Sequence, residues 1–146
     1  MNNLLLHCIT FACLGITTEI FFTAFSTLVS QIRNRQKIDL SLTGYTYVWM
    51  FFIYGLTPIL FYLSHSWLFE LPFFAKLFIY LIAIYLVEFT SGWLLECLTG
   101  RCPWHYEEGW AIKGYIRLDY APFWLVFGIV IEKVYLFLNQ ILPLFA

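Results

Sequence analysis

Four long apolar stretches leave this chain few ways to fold: residues 4–29, 47–69, 73–95 and 118–142. Each exceeds the roughly 20 residues that a helix needs to cross a hydrocarbon layer about 30 Å thick. Inside that layer the backbone has no water to bond, so only helices or closed barrels cross it. Barrel strands alternate apolar and polar residues, whereas these runs are continuously apolar, so they read as helices. Composition agrees. Only 12% of the residues are charged and 62% are hydrophobic, whereas a soluble domain carries about 25% charged residues. The expectation is an all-α membrane protein, with four transmembrane helices forming one domain over residues 1–146. The first stretch lacks a basic leader and a small-residue cleavage site, and it is long, so it is kept as a span rather than a signal peptide.

Three connections remain: 30–46, 70–72 and 96–117. Lys and Arg in short loops favour the cytoplasmic side. Arg33, Arg35, Lys37, Arg101, Lys113 and Arg117 all sit in or beside the first and third connections. Those two loops are therefore expected in the cytoplasm, both termini outside, and the chain in a cell membrane as a multi-pass protein. A net charge of −1 gives no basic face for nucleic acid. Cys8 and Cys13 lie within the first span, and Cys97 and Cys102 on the expected reducing side, so no disulfide framework is read.

The halves of the chain echo each other. The first span carries Glu19 in "TTEIFFTAF" and the third carries Glu88 in "VEFTSGW". A Gly-Tyr pair follows each acid at nearly the same separation, Gly44-Tyr45 and Gly114-Tyr115. Aromatic runs that close on Gly55 and Gly128 come next. Two spans return a chain to its starting side, so a duplicated two-helix hairpin would give parallel repeats about the membrane normal. Glu19, Glu88 and Glu132 each fall near the middle of a span. An acid there costs about 2.5 kcal/mol or more on insertion, so all three are expected to face the bundle interior. Lys133, next to Glu132, points about 100° away. Thr18, Thr23, Thr90 and Ser91 are the nearest hydroxyls to the acids at positions 19 and 88. Two uses compete: interhelical hydrogen bonds that hold the bundle together, and a polar cavity between the repeats. Glu96, near the end of the third span, would look into the same cleft. Gly92 would let a neighbouring helix approach closely.

The third connection, "GRCPWHYEEGWAIKGYIRLDY", is too aromatic for a plain solvated loop. Trp104, Tyr106, Trp110, Tyr115 and Tyr120 suit the headgroup level, where amphipathic rings anchor. Arg101, Lys113 and Arg117 would meet a phosphate there, or pair with Glu107, Glu108 or Asp119. Cys97-x4-Cys102-x2-His105 is an irregular spacing for zinc with no second pair. No metal and no cofactor are expected, and no catalytic residue is assigned.

The stretch "VEFTSGWLLECLTGRCPWHYEEGWAIKGYIRLDYAPFW" resembles the signature of small four-span proteins classed as type IV ABC-transporter-like (CmpB-like), which include the vertebrate transmembrane protein 229 family. The resemblance rests on Glu88, Ser91-Gly92, Glu96, Trp104-His105-Tyr106, the run from Gly114 through Tyr115, Ile116 and Arg117 to Leu118, and Trp124. "GITTEIFFTAF" and "YVWMFFIYG" extend it to the first half. Ser91 stands where Thr is usual, His105 where Asp is usual, and "WAIK" where the approach to the glycine is Asn-rich. The resemblance implies a four-span helical fold. An activity does not come with it, because a fold does not supply one.

Two functional expectations follow. One is a permease-like or transport-associated subunit with an acidic site between repeats, lined by Glu19, Glu88 and Glu132. It would work as a homo-oligomer or with a partner membrane or ATPase subunit. The other is a membrane-embedded binder of, or enzyme on, lipid headgroups, using Glu88 and Glu96 with Arg101, Trp104, Tyr106 and Arg117. A membrane scaffold is the plainest option. The balance leans to transport, and membrane lipids are partners in every case.

Overall fold

The computed structural model describes residues 2–107 and 109–144. The chain is helical nearly throughout. Helix α1 runs Asn2–Arg33, α2 Val48–Gly55, α3 Thr57–Leu68, α4 Phe73–Thr99 and α5 Ala121–Ile141. Two short antiparallel strands, β1 at Ala111–Ile112 and β2 at Ile116–Arg117, lie between α4 and α5. A 3₁₀ turn, Leu118–Tyr120, leads into α5. Four helical segments are long and apolar enough to cross a membrane: Asn3–Arg33, Val48–Leu68, Phe73–Thr99 and Leu118–Ile141. The protein is an all-α, multi-pass membrane protein. No more than 17% of any span's apolar window is buried within the chain. Side chains such as Phe21, Phe74, Val126 and Phe137 face outward, and an apolar surface of that extent requires lipid around it.

The second span is not one helix. It breaks at Leu56, between α2 and α3. Pro58 lacks an amide hydrogen, and its ring crowds the carbonyl four residues back. The Leu56 amide bonds both the Phe52 carbonyl at 3.1 Å and the Ile53 carbonyl at 3.2 Å, a tightening typical of such a break. Helix α4 follows Pro72, which is extended (φ −62°, ψ 151°), and stops at Gly100, which is left-handed at φ 81°. The Gly100 amide bonds the Glu96 carbonyl at 2.9 Å, satisfying one of the carbonyls left over at a helix end. Helix α4 thus extends beyond the expected limit at 95, as α1 extends beyond 29.

The chain divides into two compact units, Met1–Leu60 and Phe61–Ala146. In the first, α2 packs along α1. A side chain at Gly15 would run into the Tyr54 ring, and Gly55 rests near the Ala12 methyl and the Cys8 carbonyl. Small residues at these points allow the close approach. The connection after α1 comes back extended beside it, with Gly44 against the Ile20 carbonyl.

In the second unit, α4 packs along α5. Gly128 sits against Tyr80, where an added Cβ would meet the Tyr80 Cβ at 2.8 Å. Tyr135 is fully buried, its ring stacked on Phe61 at 4.8 Å and on Phe69 at 6.0 Å. A second cluster, Cys102, Tyr115 and Ile116 with Tyr85, Phe89 and Trp104, fastens the β1–β2 hairpin to α4. The hairpin turn closes through the Tyr115 amide on the Ile112 carbonyl at 3.0 Å. Lys113 and Gly114 both have positive φ, 51° and 74°, as a right-twisted hairpin favours. Gly92 therefore admits the hairpin rather than another helix: an added Cβ would meet the Tyr115 ring at 3.2 Å and the Cys102 sulfur at 3.3 Å.

Candidate functional site

Each acid within the spans is met by the segment where a neighbouring helix begins. In the first unit, Glu19 Oε2 accepts from the Thr46 hydroxyl at 2.8 Å and from the Tyr54 hydroxyl at 3.2 Å. Thr46 lies two residues before α2, so Glu19, although central in α1, is level with the start of α2. The hydroxyls nearest in sequence are engaged elsewhere. Thr18 donates to the Leu14 carbonyl, and Thr23 to the Ile20 and Tyr45 carbonyls. Thr23 also accepts from the Tyr45 amide at 2.9 Å, tying the returning connection to α1.

In the second unit, Glu132 is buried at 5% exposure. Its Oε1 is 2.9 Å from Lys76 Nζ, and its Oε2 accepts from the Tyr80 hydroxyl at 2.9 Å. The partner is a lysine from another helix rather than the adjacent Lys133. Lys76, in the first turn of α4, reaches along the helix packing and neutralises the acid. Lys76 and Tyr80 are four residues apart and share one face of α4, the one sequence signal that they act together. Thr46, Tyr54, Tyr80 and Lys76 were not among the expected partners.

Glu88 has a different environment. Tyr106 donates to its Oε1 at 3.4 Å, a long bond. Its Oε2 is buried, with no partner among the described residues. Thr90 donates to the Leu86 carbonyl and Ser91 to the Val87 carbonyl, as helical hydroxyls commonly do, so neither serves the acid. Tyr85 donates to the Leu118 carbonyl at 3.1 Å. Glu88, about 4.5 Å further along α4, is therefore level with the approach to α5. The hairpin covers the part of α4 beyond it.

Rings continue from Glu88 in a connected wall. Tyr106 meets Tyr120 edge-on at 5.9 Å between centroids, and Tyr120 meets Trp124 edge-on at 6.3 Å. Trp124 Nε1 is buried, with no partner among the described residues. Arg117 lies over the Tyr120 ring at 4.2 Å and donates to its hydroxyl at 3.2 Å. Arg117 also forms a forked pair with Asp119, closest contact 2.6 Å. That bond holds the guanidinium pKa above its usual value. Arg117 is thus held in place rather than left as a free loop cation.

The other expected site residues divide. Trp104 donates from Nε1 to the Tyr115 carbonyl at 3.3 Å and braces the hairpin. Glu96 is exposed near the end of α4. Hydrogen bonding to Glu96 pushes the Tyr115 hydroxyl up to about 12, so Glu96 has the hairpin as its partner. Arg101 and Lys113 are exposed, and Glu108 lies outside the described residues. Cys102 is buried beside Gly92, and burial raises its thiol pKa. All four cysteines are free thiols. Among the described residues no three metal-ligating side chains gather. Glu88, Tyr106 and Arg117 come together around the ring wall, with Trp104 bracing the hairpin beside them. Glu132 belongs to the Lys76 cluster, and Glu19 belongs to the first unit with partners of its own.

No family model matches the chain, and no solved structure matches it.

Proposed function

We propose that the protein binds a polar lipid headgroup where α4 meets the β1–β2 hairpin, with Glu88 as the recognising acid. One observation carries this reading: a half-buried glutamate with one buried, unpartnered oxygen stands beside an aromatic wall, level with the start of the last span. Burying a polar group without a partner costs about 1–3 kcal/mol. At Glu132, the other acid with a buried carboxyl, both oxygens are met. Aromatic rings at this level suit the boundary between acyl chains and headgroups. The residues behind the resemblance to the four-span CmpB-like proteins, Glu88, Gly92, Tyr106, Gly114 and Trp124, are also those that build or brace this cluster, which supports treating them as one site.

The transport reading needs acids from separate hairpins to act together. Glu19 has two hydroxyl donors inside its own unit, and Glu132 has Lys76, so neither calls for a further partner. A repeated hairpin is still a useful idea. Tyr45 bonds Thr23, four residues after Glu19, and Tyr115 packs on Gly92, four residues after Glu88. This parallel supports Glu19 and Glu88 as equivalent positions, of which, among the described residues, only the second has an unpartnered oxygen that is buried.

The test is a thermal-shift panel on delipidated protein, adding back lipids that share acyl chains and differ in headgroup. Wild type is expected to melt at headgroup-dependent temperatures, because a ligand that binds only the folded state stabilises it. Glu88→Gln is expected to flatten that dependence. Equal stabilisation by every headgroup in wild type would reject the reading, and co-purification of an ATPase subunit would favour transport.

A further inference from the structure

The chemistry of the two unpartnered atoms narrows the ligand, an inference that rests on the headgroup-binding reading above. Glu88 Oε2 can accept a hydrogen bond and, when ionised, favours a positive charge beside it. Trp124 Nε1 can only donate. Both atoms are buried and without partners among the described residues, and both belong to the run Glu88–Tyr106–Tyr120–Trp124. A ligand that satisfies Glu88 must bring an N–H donor with positive charge, and one that also reaches Trp124 must carry an acceptor oxygen beyond it. We infer that the site takes a headgroup carrying a primary ammonium and an anionic phosphate oxygen, as phosphatidylethanolamine does, in preference to its quaternary-ammonium counterpart.

The choice between those two headgroups follows from hydrogen-bond count. Quaternary ammonium groups sit well against aromatic faces, and the ring wall alone would accept either. A trimethylammonium has no N–H, however, and would leave Glu88 Oε2 buried and unbonded. Sites built around a hydrogen bond reject analogues that cannot make it, because the site's own polar group then stays unpaired. A buried carboxylate is also tolerated only with a counter-charge, and the ammonium supplies that charge together with the bond. Oε2 is covered by the chain itself. The Tyr106 hydroxyl at 3.4 Å is the weak contact on this carboxyl, and it is the one the ammonium displaces. Arg117 does not compete, since Asp119 and Tyr120 already hold it. Trp124 Nε1 then donates to a phosphate oxygen.

The experiment uses the full chain, delipidated in detergent, with native mass spectrometry of retained lipid. The probes are phosphatidylethanolamine, phosphatidylcholine and phosphatidylglycerol with identical acyl chains. Wild type is expected to hold phosphatidylethanolamine roughly ten- to a hundredfold better than phosphatidylcholine, the range that one unsatisfied buried group commands. In Glu88→Gln that ratio should fall towards one. Trp124→Phe should weaken phosphatidylethanolamine and phosphatidylglycerol alike, since it removes the donor to phosphate. Soluble phosphoethanolamine tells a free ligand from a lipid. Either source supports the inference, provided phosphocholine competes at least tenfold less well.

Retention of phosphatidylcholine as tight as phosphatidylethanolamine, with both above phosphatidylglycerol, overturns the primary-ammonium inference and leaves headgroup binding standing. Equal retention of all three lipids removes both. Should Glu88→Gln fail to fold, the wild-type ratio and Trp124→Phe decide. A wild-type ratio near one, or no loss of affinity in Trp124→Phe, overturns the inference.

Discussion

At Glu132 the structure sets a charge in an apolar surrounding and answers it with one lysine and one tyrosine. The Lys76 and Glu132 side chains are 16% and 7% exposed, so each depends on the other more than on water. Breaking such a pair from one side strands the remaining charge, which costs about 3–5 kcal/mol. The cost here is expected near the lower end, because Lys76 has some solvent access. Glu132→Leu and Lys76→Met are each expected to lower unfolding stability in detergent by about 3 kcal/mol. The double substitution should recover most of that loss, since an apolar pair of similar volume needs no counter-charge. A double variant as unstable as either single would mean that the pair is not the source of the stability. The other two acids differ by a single atom. Glu19 places two donors on Oε2, whereas Glu88 leaves its Oε2 buried and, among the described residues, unbonded.

At the level of elements, the three acids obey one rule: each is level with the beginning of the helix packed beside it. Thr46 precedes α2, Lys76 lies in the first turn of α4, and Leu118 begins the turn into α5. The first amides of a helix lack intrahelical partners, and its macrodipole is positive at that end, so an acid placed there is less costly than one facing lipid at mid-depth. The hairpin between α4 and α5 follows different logic. It is clamped by Tyr115, whose ring fills the space above Gly92 and whose hydroxyl bonds Glu96. That bond raises the Tyr115 pKa from 10.0 to about 12. The folded state therefore holds a proton that the unfolded chain releases near pH 10. Stability from this bond is complete below pH 10 and falls as pH rises through 12. Wild type is expected to lose hairpin protection, measured by amide hydrogen exchange at Tyr106 and Leu118, across that window. Tyr115→Phe should start less protected and show no such loss. A Tyr115→Phe profile that falls in parallel with wild type would assign the alkaline transition to another group.

For the whole molecule, lipid contact dominates. Helices with so little of their apolar surface buried within the chain hold their places through a few glycine contacts and the polar clusters, and the bilayer covers the rest. Sidedness is the property that Lys and Arg distribution proposes and that labelling decides. Cys97 is exposed near the end of α4, whereas Cys102 is buried with a thiol held above its usual pKa. With the 96–117 loop in the cytoplasm, an impermeant maleimide should leave sealed cells unlabelled and modify Cys97 after permeabilisation. Cys102 should react only once the protein is denatured, because maleimide attacks the thiolate and burial suppresses it. Labelling of Cys97 in intact cells would invert the topology.

Span number, helical class and the presence of costly acids were fixed by residue order alone, because crossing a hydrocarbon layer depends on local apolar length, which can be counted along a chain. The aromatic, interfacial character of the 96–117 connection could be read for the same reason. The partners of the acids could not. Whether Glu132 meets Lys133 or Lys76, and whether Glu88 meets Ser91 or Tyr106, depends on how far one helix is shifted along another. That offset comes from shape, through Gly128 against Tyr80, Gly15 against Tyr54 and Gly92 under Tyr115. These contacts join residues distant in sequence. Only the packed chain brings them together, and with them the buried, unbonded oxygen of Glu88.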